Sequence, residues 1–345
     1  MTAVATPPDA PTTAPAGRFG DLLRAEAHRF TARRFIQVLL ALAVLGWLGV
    51  LVIGLTQYAA VSPERLAAAQ QQRQEQVDTS NAYREQCLLD PGIPADMTPE
   101  QWCGTPMTAE DLELSWFLTP PPFSLGADGA NGVLVFSAGA SVLVFLVGAT
   151  YVGAEWSSRS MSALLFWETR RPRVMGAKIA VAAAAALLIG VVAQLSWLAM
   201  AGIWQATVGD GAALPDGFWS EVLSAQGRGV LLTVCAGLLG FGLTNLVRNT
   251  GAALGIAFVV FAVLETAVRV VQPAWQPWLL TNNAAALVLP DGLTIYLYPQ
   301  EYDAMGNQLV QEYQLGNLQA GVFMCVVTAV VVGVGVVLFN RRDVQ

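Results

Sequence analysis

The chain has 345 residues, of which 54% are hydrophobic and only 12% charged, about half the charged share of an ordinary soluble domain. Mean hydropathy is +0.51, the formal charge is −7, and Lys178 and His28 are the only Lys and His. That balance excludes a soluble enzyme with an ordinary polar surface, a basic nucleic-acid binder, and a metal site built from several histidines. What remains is an all-α integral membrane protein.

Residues 1–17 are rich in Pro, Thr and Ala and read as a disordered tail. Over 18–35, Phe19, Leu22, Leu23, Ala27 and Phe30 recur at near-helical spacing with arginines between them. This pattern predicts an amphipathic helix lying at the membrane interface, with a plain basic flank of the first span as the alternative. About 20 apolar residues cross a bilayer, and six stretches qualify, at about 36–57, 132–153, 179–204, 229–246, 251–271 and 320–339. The first is too long, and preceded by too much chain, to be a signal peptide, so it reads as an uncleaved anchor.

Between the first two spans lies a long loop, 58–130. Ser62, Pro63, Glu64 and Arg65 mark a helix start there, followed by a run of helix-forming Ala, Gln, Glu and Arg. Pro120, Pro121 and Pro122 interrupt helix later in the loop. The segment between the last two spans is apolar yet broken by Pro273, Pro277 and Pro290, with Trp275, Trp278, Tyr296 and Tyr298 suited to a headgroup belt. A re-entrant segment and a small external cap are both compatible with it.

Six spans put both termini on one side. Thirteen of the 18 basic residues fall on that side, whereas Arg65, Arg73, Arg84, Arg228 and Arg269 belong to the opposite loops with most of the acids. Retention of positive charge inside the cell predicts cytoplasmic termini and an external 58–130 loop. In that loop Cys87 and Cys103 are candidate disulfide partners, with two free thiols as the alternative. Cys235 and Cys325 lie inside spans and read as packing residues.

Catalytic motifs are missing. A phosphate-binding loop needs G-x-x-x-x-G-K-[ST], and Lys178 stands in GAKIA. Glu265 is the one clear ionisable group at membrane depth, and Arg269 four residues on makes a helical pair the simpler reading than a substrate contact. Gln194, Ser196 and Asn245 either line a path or join neighbouring helices. The inner segment 154–178 sets arginines beside Trp156, Phe166 and Trp167, a composition suited to docking a partner.

Taken in order, the basic helix LLRAEAHRFTARRF, the sequence Gly153-Ala154-Glu155-Trp156 ending span two, the basic turn Arg170, Arg171, Arg173 with Lys178 entering span three, the turn LVRNTGAALG and the segment FNRRDV resemble the membrane subunit of a type 2 ABC transporter. The sequence departs from that family where Arg159-Ser160-Met161-Ser162 follows Glu155 and around Pro172. The resemblance implies a permease of an exporter in the plasma membrane, not itself an enzyme. Its partners would be a separate ATP-binding subunit holding ATP and Mg, and a second permease subunit, identical or paralogous. It also implies that Glu155, Trp156, Arg170, Arg171, Arg173 and Lys178 couple the two, with no cofactor in this chain and no nucleic acid. A six-span scaffold or sensor, with the 58–130 loop binding a partner, is the rival reading.

Overall fold

The computed structural model describes residues 19–90, 92, 97–297 and 309–341. The tail 1–17, Arg18, Tyr298 and Arg342 lie outside the described residues. In chain order come α1 (Phe19–Thr31), α2 (Arg34–Gln57), α3 (Pro63–Leu88), α4 (Pro99–Cys103), α5 (Leu125–Ser157), α6 (Ser160–Trp167), α7 (Arg171–Val208) and α8 (Phe218–Val247). There follow α9 (Thr250–Phe258), a π-helical stretch (Val259–Leu264), α10 (Glu265–Val271), α11 (Leu280–Val288), the antiparallel hairpin β1 (Leu293–Leu297) and β2 (Gln311–Leu315), and α12 (Asn317–Arg341). Among the described residues, six helical runs are long and apolar enough to cross a membrane: α2, α5, α7, α8, Thr250–Val271 and α12. The chain is a mainly helical, multi-pass membrane protein.

Several helices outrun their apolar stretches, because hydropathy marks the part that suits lipid rather than the part that is hydrogen-bonded as helix. α5 begins at Leu125 and absorbs the end of the 58–130 loop, and α8 begins at Phe218. Arg228, assigned from the sequence to a loop, therefore sits inside α8. The fifth span is not one regular α-helix, since π-helical turns occupy its middle.

α5 and α8 form the centre. In their apolar windows 44% and 50% of residues are buried within the chain, against 6% for α2 and for Thr250–Val271. Small residues permit the close approach: a Cβ at Gly148 would collide with the carbonyl of Gly237, and one at Gly240 with that of Phe145. Indole rings tie α2 to α7. Trp47 Nε1 donates to the Ser196 carbonyl at 3.1 Å, and Trp204 Nε1 donates to that of Leu51 at 3.1 Å. The Trp204 ring fills the space where Gly54 has no side chain.

The bundle has two distinct ends. One gathers α1, α6 and the last turn of α12. The other carries α3, α4, α11 and the hairpin. α3 starts as its sequence predicts, with Ser62 Oγ accepting from Arg65 N at 3.2 Å and Pro63 in the first turn. A disulfide joins Cys87, near the end of α3, to Cys103 at the end of α4. α11 packs on α8 and α12, and the hairpin follows it, so the segment between the last two spans is part packed helix and part cap.

Two charged side chains bracket α11. The Glu265 carboxylate accepts from Leu280 N at 2.8 Å and Thr281 N at 3.3 Å, at the positive end of the helix dipole. Arg228 donates to the carbonyls of Val288 at 3.4 Å and Leu289 at 3.5 Å, at the negative end, where Asn317 Nδ2 also donates to Ala286 and Leu289 at 2.7 Å. Arg269 lies 3.6 Å from Glu265, so the pair expected from spacing is present. The capping of α11 is the contact that i,i+4 spacing did not predict.

Gly240→Val should separate α5 from α8 and cost about 1–3 kcal/mol, as overpacking does. Thermal unfolding of the detergent-purified protein would report this as a lower Tm. Glu265→Ala uncaps α11 and should cost about 1–2 kcal/mol. Hydrogen exchange at Leu280 and Thr281 should rise selectively; unchanged protection there would refute the capping role.

Candidate functional site

The end of the bundle carrying α1 holds a buried cluster of charges. Lys178, two turns into α7, is fully buried, as is Glu26 of α1; Glu155, in the last turn of α5, is 4% exposed. Lys178 Nζ lies 2.7 Å from Glu26 Oε2 and 2.5 Å from Glu155 Oε2. Arg33 Nη2 is 2.8 Å from Glu155 Oε1, and Arg29 Nη1 is 3.1 Å from Glu26 Oε1. The Tyr151 hydroxyl donates to Glu26 Oε2 at 2.7 Å. Above its ring lie the Arg33 guanidinium at 5.2 Å and the Lys178 ammonium at 5.4 Å.

Each carboxylate thus meets two cations, the condition under which buried charge is tolerated. The local helix geometry makes this possible. Helix breaks at Ala32 and Arg33, where Arg33 is extended (φ −77°, ψ 114°), so α1 turns away from α2 and lies across α7. Its buried residues are Glu26 and Phe30, whereas Phe19 and Ala27 of the expected apolar stripe are exposed. α1 is therefore held by polar contacts as much as by an apolar face, because a buried Glu opposite Lys178 is worth more there than another alanine.

A second knot surrounds Trp156. Its Nε1 donates to Asn245 Oδ1 of α8 at 3.3 Å, the Arg248 guanidinium stacks 4.4 Å from its ring centroid, and its ring meets Phe339 of α12 edge-on at 6.1 Å. Arg248 closes α8 in the left-handed conformation (φ 58°), which turns the chain towards α9.

Beyond these knots the surface is basic. α6 spans α5 and α7 as a separate short helix, and Phe166 on it is 86% exposed. Arg170 is exposed. Arg171 donates to the carbonyls of Asn340 at 3.4 Å and Phe339 at 3.5 Å, and Arg173 lies 3.5 Å from Glu168. These arginines, with Thr169, Pro172 and Asn340, line a depression of about 520 Å³.

The six residues singled out from the sequence therefore divide. Arg170, Arg171 and Arg173 share one surface, Trp156 is half-buried behind it, and Glu155 and Lys178 are interior. Sequence reading passed over Glu26 and Tyr151 altogether. The signal for them was the solitary Lys178 at the edge of an apolar span, which required a carboxylate from elsewhere in the chain. In mid-bundle, Gln194 Nε2 donates to Ser137 Oγ at 2.9 Å and Gln226 Nε2 to the Gln194 carbonyl at 3.2 Å, so these polar groups join α5, α7 and α8. Ser196 bonds its own helix, at Ala193. Among the described residues no group of three or more His, Cys, Asp and Glu side chains is placed to hold a metal ion.

Comparison with known proteins gives no match. Neither a family model, nor a curated protein, nor a solved structure is similar to this chain.

Lys178→Met leaves Glu26 and Glu155 short of a buried partner and should cost about 3–5 kcal/mol. Combining it with Glu26→Gln should recover a substantial part of the loss. Thermal unfolding of both variants checks this, and a single variant as stable as the parent would show that Lys178 is not needed to neutralise the cluster.

Proposed function

We propose that this chain is the membrane-spanning permease subunit of an ATP-driven type 2 ABC transporter, working as an exporter in the plasma membrane with both termini in the cytoplasm. It would associate with a separate ATP-binding subunit and with a second permease subunit. The observation that carries the reading is the mechanical layout beneath the bundle. A short helix, α6, offers an exposed Phe166 beside Arg170, and it hangs between α5 and α7, which the Glu26–Lys178–Glu155 cluster clamps to each other and to α1. A partner pressing on α6 would displace α5, α7 and α1 as one body, the kind of rigid-body shift that switches access between two sides of a membrane.

In this scheme Phe166 and Arg170 meet the ATPase, and Arg171 and Arg173 shape the adjoining surface. Trp156 passes displacement to α8 and α12 through Asn245 and Phe339. Glu155 and Lys178 act from the interior as positioning residues. The sign of the surface calls for an acidic rim on the partner.

The scaffold reading is favoured by a different observation. The segment carrying α3 and α4 exposes Tyr83, Trp102 and Trp116. A scaffold would lose function when that segment is deleted and be indifferent to changes on α6.

Phe166→Asp with Arg170→Glu should leave the protein folded, because both side chains are exposed. Introduced acid against an acidic partner should weaken association by about tenfold or more. Co-purification of an ATPase from native membranes, and its hydrolysis rate with parent and variant chains, tests this. Absence of any ATPase, or equal stimulation by the variant, would overturn the permease reading.

A further inference from the structure

Between α1, the last turn of α5 and the start of α6 lies a cavity of about 460 Å³. Its polar wall is Arg29, Arg33, Glu155 and Ser160, and its apolar side is Ala163 and Leu164. The charges meeting there do not cancel. Arg29, Arg33 and Lys178 contribute three cations, against the two carboxylates of Glu26 and Glu155, and both carboxylates are already paired. The excess positive charge is most accessible at Arg29, whose side chain is 48% exposed while one of its nitrogens holds Glu26.

The start of α6 adds to this bias through its backbone and not through its first hydroxyl: Ser158 Oγ gives its one hydrogen to the Ala154 carbonyl at 2.7 Å, so Ser160 Oγ is the donor in the 3.0 Å contact between the two serines. α6 begins at Ser160 without a side-chain cap, after Arg159 in the left-handed conformation. The cavity therefore offers the Arg29 guanidinium and the uncapped start of α6 to an anion, next to an apolar side that an inorganic ion would not use.

We propose that this cavity binds the phosphate of an anionic phospholipid headgroup, with the start of an acyl chain along Ala163 and Leu164. Charge-assisted bonds from Arg29 to a phosphodiester are stronger than those to neutral groups. An amphipathic helix at an anionic membrane surface presents such a side chain at headgroup depth. The bound lipid would bridge α1 and α6, the two elements at this end that the Glu26–Lys178–Glu155 contacts do not join directly. The proposal rests on the chain spanning a membrane and not on the permease reading.

The test uses the full chain in nanodiscs of phosphatidylcholine alone or with phosphatidylglycerol. Native mass spectrometry counts retained lipid, and thermal unfolding reports stabilisation. Expected are one tightly retained phosphatidylglycerol per chain and a higher Tm in its presence. Arg29→Gln and the cavity-filling Ala163→Phe should each lower retention, the first by about tenfold. The Arg29 side chain is 48% exposed, so Arg29→Gln keeps the comparison open should Ala163→Phe fail to fold. Equal retention in all folded variants, or equal retention of phosphatidylcholine, would overturn the site. The same Tm rise from millimolar inorganic phosphate without phosphatidylglycerol would make the occupant a soluble phosphate and overturn the lipid assignment.

Discussion

One ammonium group, that of Lys178, brings two carboxylates into a region from which solvent is excluded, and the arrangement of α1, α5 and α7 follows from it. An isolated buried charge costs several kcal/mol even after relaxation, so Lys178 cannot remain unpartnered and neither can Glu26 or Glu155. Bonded to both, it leaves one negative charge over, which Arg33 answers from the break between α1 and α2. Moving any of the three helices separately would expose a charge to a low-dielectric interior. They are coupled because the alternative is electrostatically expensive.

The same rule operates at the opposite end with a helix dipole in place of a cation. α11 is nine residues long, too short to be stable alone. It is held by Glu265 at its N-terminus and by Arg228 with Asn317 at its C-terminus. Both charged residues belong to apolar helices, and their direct consequence is to fix a helix that is not itself a span. Between these ends the centre of the bundle uses contact rather than charge, with glycines at 148 and 240 letting α5 and α8 approach to backbone distance. The largely unburied α2 and Thr250–Val271 present apolar faces that a bilayer can cover.

Where sequence reasoning stopped short, the reasons are specific. Hydropathy located six spans but not helix ends, because Phe218–Gly227 continues α8 without being apolar; Arg228 was misplaced for that reason alone. Glu265 and Arg269 were read as a local pair from their spacing, which cannot reveal that the backbone of residues 280 and 281 is nearer. Glu26 was hidden inside a stretch whose alternation suggested a simple lipid-facing helix. The basic turn at Arg170–Arg173 was legible because charge beside an apolar run is conspicuous without any fold.

The amino-acid order by itself determined the apolar surroundings, the six stretches long and apolar enough to cross a membrane, the basic character of one end, and the capping of α3 by Ser62. Each of these depends on residues within about one helix length of one another, or on composition. Which groups neutralise Lys178, what Glu265 caps, and where the surface leaves a cation over were decided only on folding. Those contacts join positions up to 152 residues apart, and electrostatic pairing in a dry interior depends on distance in space, to which separation along the chain is blind.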